Sequence, residues 1–145
     1  MDEKDSLILA ELAEDGRQST ALIARKTNIP RVTVHDRLNK LKKSGVIKKF
    51  TVSLDHAKLG LSVTAFVLLA YEQLPHVDQH EVARRISNIP GVYAVHIISG
   101  EWDMLLKIRA GNLEEVGALI VDKIRCIEGV HKTLTMACFE TIKEE

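Results

Sequence analysis

The sequence predicts an α+β protein of two domains, an N-terminal winged helix-turn-helix followed by a C-terminal ferredoxin-like βαββαβ domain. Two observations predict it. Up to Gly45 the apolar residues recur at helical spacing in three short segments, and the stretch that follows is basic and β-branched. Beyond Leu59-Gly60 strand patterns alternate with helical ones, and Ile-Pro-Gly-Val at 89–92 is echoed by Ile-Glu-Gly-Val at 127–130, each closing a helix and opening a strand. The expected boundaries are 1–50 for the first domain, 51–60 for a connector strand or linker, and 61–145 for the second domain.

In the first helix Leu9, Leu12 and Ala13 share a face with Ile8 beside them; Asp5 is the expected N-cap and Gly16 the expected stop. The second begins at Ser19, a good N-cap, turns Ile23 and Ala24 inward, and ends at Asn28, which tolerates the left-handed conformation. Pro30 suits the first turn of the third helix, where its missing N–H costs nothing. Val34, Leu38 and Leu41, at i, i+4 and i+7, form its narrow buried stripe, and Gly45 ends it. Residues 46–55 read as a strand. Ser62–Tyr71 is a second strand, apolar on both faces. A helix follows with Val82, Ala83, Ile86 and Ile89 inward, and then two strands joined by the tight Gly100-Glu101-Trp102-Asp103. The last helix has Asn112 as N-cap and Leu113, Val116, Ile120, Ile124 and Ile127 on one face; residues 130–139 form the closing strand. Helices over one sheet face leave an apolar second face, and the same face of another copy is the simplest cover.

Charge is divided sharply along a chain that is neutral overall. Residues 17–50 hold ten Lys or Arg against one acid, Asp36, whereas residues 1–16 hold six acids against Lys4. Such a concentration marks an anionic partner. With the apolar stripe of the third helix inward, Val32, Asp36, Asn39, Lys40 and Lys43 point outward, with Thr33 and His35 on the flanks. A helix fits the major groove of B-DNA, so double-stranded DNA is the expected partner. Val32 can touch a thymine methyl, Asn39 can pair with adenine, and Asp36 can accept from cytosine N4 or pair instead with Lys40 one turn on. Arg31, Arg37, Lys40, Lys42, Lys43, Lys48 and Lys49 are expected at phosphates.

The remaining composition narrows the class. No apolar run reaches about 18 residues, so no membrane span is expected. Met-Asp-Glu-Lys-Asp-Ser is no secretory leader, and Cys126 and Cys138 make neither a disulfide framework nor a zinc site. A cytoplasmic protein with reduced, buried thiols, no metal and no cofactor is expected, and the chain is not expected to be an enzyme.

The order and spacing of these pieces resemble the Lrp/AsnC, or feast/famine, family of bacterial and archaeal regulators across essentially the whole chain. The resemblance is carried by Asp5, Ile8-Leu9, Leu12 and Asp15-Gly16-Arg17; by the segments 19–29 and 32–60, ending in Leu54-Asp55 and Leu59-Gly60; and by Ser99-Gly-Glu-Trp-Asp-Met with the strand after it. It implies a DNA-binding transcriptional regulator with a C-terminal domain of the RAM/AsnC type. It implies a homodimer assembling to higher oligomers, often octamers, and an amino acid or related metabolite bound between dimers. The effector residues implied are Gly100, Glu101, Trp102 and Asp103, with Thr133, Thr135 and Met136 on the last strand. Asp103 can accept from a ligand ammonium, or cap its own turn. The chain departs from the family pattern at Asn28, usually Gly; at Pro30-Arg31, where the proline comes one residue early; and at Leu22, which denies Ser19 a capping-box partner. Two other functions remain open on the residues alone: a sirohaem decarboxylase-like enzyme of the same architecture, for which His96 and His131 are candidate pocket residues, and sequence-tolerant DNA packaging.

Overall fold

The computed structural model describes residues 1–144. It divides into two compact units, Met1–Leu54 and a second that begins at Asp55.

The first unit holds α1 (Glu3–Glu14), α2 (Thr20–Thr27) and α3 (Arg31–Lys43). Helix α1 starts earlier than the sequence suggests. Asp2 is its N-cap, accepting from Asp5 N–H, and Asp5 returns the bond to Asp2 N–H in a capping box of two acids. Its buried face centres on Ile8 and includes Asp5, while Ala13 is exposed. Ser19 caps α2 by accepting from Leu22 N–H at 3.2 Å, and Asn28 ends it with φ of 55°, the left-handed geometry expected. Ile8, Ile23, Ile29 and Val34 form the core, with Leu12, Ala24 and Leu38 packed against it. Pro30 sits at the N-cap of α3, one position ahead of the expected first turn.

The strand expected over 46–55 is absent: these residues join no ladder among the described residues. Val46, Phe50, Val52 and Leu54 are instead about half or more exposed, at 50%, 52%, 68% and 51%. β-Branched sequence supplies a strand's shape, but a strand also needs a second one to satisfy its N–H and C=O groups.

The second unit is a four-stranded antiparallel sheet in the order β2-β3-β1-β4, from β1 (Val63–Tyr71), β2 (Val92–Ile97), β3 (Met104–Ala110) and β4 (Val130–Ala137). Helix α4 (Gln79–Ser87) lies between β1 and β2, and α5 (Leu113–Ala118) between β3 and β4. This is the ferredoxin-like order expected. Ala65, Val67 and Leu69 of β1 and Met104, Leu106 and Ile108 of β3 alternate inward and pack with Val82, Ile86, Val116 and Ile124. Full burial of each large aliphatic side chain contributes about 1.5–3 kcal/mol.

The last helix departs from regular α geometry. A π-helical turn over Leu119–Ile124, closed by Arg125 N–H on Ile120 O at 2.8 Å, follows α5. The wider turn brings Leu119, Ile120 and Ile124 all inward. Leu113, expected inward, is 61% exposed because it precedes the packed turns. The two echoed glycines serve one geometry. Gly91 has φ of 95° and Gly129 of 92°, and an added Cβ would lie 2.6 Å from Leu119 Cδ1 in the first case and 2.9 Å from Val77 Cγ1 in the second. Each helix-to-strand corner thus turns through a left-handed residue pressed against the core.

Among the described residues no helix covers the second sheet face. Phe66, Leu68, Leu105, Leu134 and Met136 lie on it by register, beside Lys107 and Arg109. Glu144 pairs with both cations, at 2.6 Å from Arg109 Nη2. Burial, then the neighbouring Arg109, holds the Lys107 ammonium below its ordinary value. The cysteines are both free, and Cys126 is exposed rather than buried as expected, since it follows the π turn on the helix's outer side.

Candidate nucleic-acid interface and effector turn

Helix α3 is anchored by Val34 and Leu41, both buried, and that anchoring decides what it offers outward. Arg31, Val32, His35, Asp36, Asn39, Lys40, Lys42 and Lys43 are exposed and Thr33 is half-buried. Val32 stands out for a valine, 73% exposed at the helix's N-terminal end, where base edges are read. Asn39 Nδ2 lies 3.0 Å from His35 Nε2 one turn back, so these two side chains present a joined polar surface. Among the described residues no ion pair joins Asp36 to Lys40; both project separately. Lys42 Nζ lies 5.8 Å from the centroid of the Phe50 ring, and Lys48 and Lys49 are exposed.

Arg37 is placed differently from the phosphate-facing role expected of it. Its Nη1 donates to Asp2 Oδ1 at 2.6 Å, Asp2 Oδ2 at 2.7 Å and Asp5 Oδ1 at 2.8 Å. The Arg37 guanidinium, then the Asp5 N–H, holds the Asp2 carboxyl below its ordinary value; the Asp2 N–H, then Arg37, does the same for Asp5. The network joins residues 35 and 32 positions apart, so no local motif announces it. One signal was available: at about 100° per residue position 37 falls about 40° outside Leu41, at the border of the inward sector rather than on the outward face.

In the second unit Gly100, with φ of 120°, helps turn the chain from β2 into β3, and Ile98 N–H closes the turn on Asp103 O at 2.9 Å. Asp103 is the stitch of this corner. Its N–H donates to Leu69 O at 3.0 Å, and its Oδ2 accepts from Tyr71 N–H at 2.7 Å. The β1–β3 ladder stops at Leu69 opposite Met104, and the carboxylate takes the next N–H that would otherwise be unpaired. Trp102 is half-buried, with Lys132 Nζ 5.2 Å from its ring centroid. Asp103 also lines a groove of 790 Å³ with Tyr71, Gln73, His76, Asp78 and Glu81.

The residues expected on the last strand do not share one surface. Thr133 and Thr135 pair with Leu69 and Val67, on the helix-covered side; Met136 pairs with Phe66, on the open side. Period-2 alternation forces the separation. Gly100, Glu101 and Trp102 do not line the Asp103 groove.

Residues 64–145 match the family model described as the Lrp/AsnC ligand binding domain, more than half of the chain, and residues 1–48 match a winged helix-turn-helix DNA-binding model. The chain belongs to the Lrp/AsnC family. An HTH-type transcriptional regulator of Pyrococcus furiosus is 49% identical over 100% of this chain and 97% of its own. The regulator FL11 of Pyrococcus horikoshii is 38% identical over 99% and 93%. Among solved structures, B. subtilis LrpC superposes with a TM-score of 0.88 at 28% identity, covering 100% of this chain and 99% of its own. A Neisseria meningitidis regulator solved in complex with L-Met shares the fold, with a TM-score of 0.92 at 21% identity over 99% and 93%. As an Lrp/AsnC member this chain is an HTH-type transcriptional regulator. No described helix is long and apolar enough to cross a membrane.

Proposed function

We propose that this Lrp/AsnC regulator binds specific duplex sequences through α3 and changes its assembly or DNA affinity on binding an amino acid or related metabolite. The observation that carries the reading is the outward face of α3. It combines an exposed apolar side chain, Val32, with Asp36, the His35–Asn39 pair and the exposed cations Lys40 and Lys43. Apolar and hydrogen-bonding groups read base edges, and the cations with Arg31, Lys48 and Lys49 hold phosphates. Residues 1–50 then act as the DNA-binding domain, 51–60 as the connector, and 61–145 as the effector and assembly domain. In that domain the open face with Phe66, Leu68 and Met136 supports a homodimer, the unit from which an octamer is built. Asp103 and the Gly100–Trp102 turn support an effector site completed by a second dimer.

The decarboxylase reading is disfavoured by placement. His96 lies on β2 and His131 on β4, at opposite edges of the sheet, so they do not form a cluster within one chain. The deciding experiment titrates the purified chain with a duplex it selects from a random pool, against random competitor. It is run at two salt concentrations, with and without each of the common amino acids. A preference for the selected duplex, a steep salt slope and a shift with one amino acid support the proposal; binding equal for both duplexes points to DNA packaging instead.

A further inference from the structure

We propose that Arg37 is a positioning residue: by holding Asp2 and Asp5 it sets the orientation of the recognition helix against α1, and it makes no phosphate contact. The inference rests on α3 as the reading helix.

Arg37 is the basic residue of α3 that sits in an ion network, and the acceptors it meets are unusually fixed. Asp2 and Asp5 are the capping box of α1, so each carboxylate is already held by a backbone N–H of the first turn. The Arg37 side chain is 25% exposed and that of Asp5 10%, so the bond is sheltered from solvent on one side. An arginine whose Nη1 meets three carboxylate oxygens has little freedom to swing toward a phosphate. The pair also links two helices that otherwise meet through a small core of Ile8, Ile23, Ile29 and Val34.

The position matters because of what shares that side of the helix. Thr33, Asp36 and Lys40 line a cavity of 290 Å³ together with Asp2 and Arg37. Rotation of α3 about its axis moves these side chains relative to a groove of DNA. One guanidinium therefore fixes the angle at which the helix presents these side chains.

The test compares Arg37→Gln with the double variant Asp2→Asn/Asp5→Asn in the full chain. Asparagine retains the acceptor oxygens that cap α1, so the double variant removes the ions and leaves the cap. The probes are the duplex that the wild-type chain selects from a random pool and a random-sequence duplex, at about 50 and about 200 mM salt. Both variants are expected to lower the selected-to-random affinity ratio about tenfold, the scale of one misread base pair. All three substitutions together should do no more than either variant, because they break one interaction. The salt slope of Arg37→Gln should match wild type. A slope flatter by about 0.9, the signature of one phosphate no longer neutralised, overturns the proposal. So does a preserved ratio in either variant. If Arg37→Gln loses its helical circular dichroism, Arg37→Lys carries the comparison. It keeps the charge without the planar guanidinium; a lower ratio at unchanged slope supports the proposal and an unchanged ratio overturns it. A wild-type chain that selects no duplex overturns the reading helix, and this proposal with it.

Discussion

Asp103 holds the corner between β1 and β3, and this makes its alanine variant a poor probe of effector binding unless stability is measured beside it. Removing the carboxylate leaves Tyr71 N–H, now bonded at 2.7 Å, without an acceptor at the end of the ladder. An orphaned, part-buried backbone donor costs about 1–3 kcal/mol. For a unit of this size that corresponds to a fall in Tm of roughly 5–20 °C. Asp103→Asn separates the two roles. Its amide oxygen can still accept from Tyr71 N–H, while the negative charge available to a ligand ammonium is gone. Thermal unfolding by circular dichroism should therefore show Asp103→Ala destabilised and Asp103→Asn much closer to wild type. Calorimetric titration with the amino acid that shifts the wild-type chain should show both variants unresponsive, with DNA binding in its absence nearly intact for Asp103→Asn. An alanine variant as stable as wild type would refute the structural role assigned to the carboxylate. An asparagine variant that binds the effector normally would refute the charge as the recognised feature.

Lys40→Ala with Lys43→Ala should weaken binding to all duplexes alike and flatten the salt slope by roughly 1.8, about 0.9 for each phosphate that goes without its lysine; an unchanged slope in competition titrations places these lysines elsewhere. Leu106→Ala, at a fully buried position under both helices, should cost about 2–5 kcal/mol in denaturant unfolding, and a smaller loss would mean the sheet core can collapse around the cavity. Asp2 and Asp5 have carboxyls depressed in the folded chain, so their contribution is present above the ordinary carboxylate value of about 3.9 and is lost as pH falls through the lower folded values. Melting curves between neutral pH and about pH 3 should accordingly show a smaller acid destabilisation in Arg37→Gln than in wild type, and parallel curves would show that the triad is not a source of stability.

Local rules carried much of this molecule. The Ser19 and Asn112 caps, the left-handed Asn28, the two glycine corners and the alternation of β1 and β3 all appear where the residues require them. Each depends on a backbone conformation or periodicity that one segment imposes on itself. The echoed corners then restrict the topology, since two βαβ halves have few ways to share one sheet. The outward side of α3 was legible for the same reason: a narrow apolar stripe turns most of the helix's charges to solvent. The start of α1 was misread because Asp5 and Asp2 are both plausible caps, and the choice between them depends on a bond Asp5 makes backwards.

The rest concerns partners remote in sequence. Residues 46–55 have strand-forming composition, but a ladder requires a second strand, and none among the described residues pairs with them. Alternation along β4 separates Thr133 and Thr135 from Met136, but which of the two sets shares the helix-covered face was decided by pairing with β1, and a register cannot be read from one strand alone. Arg37 carries the same charge as its neighbours on α3, and composition assigns it the same role. Folding brings Asp2 and Asp5 into hydrogen-bond range of its guanidinium, because packing Val34 against Ile8 draws the start of α1 across that side of the helix. Charge and periodicity are properties of a segment, whereas the pairing of one charge with another is a property of the packed core.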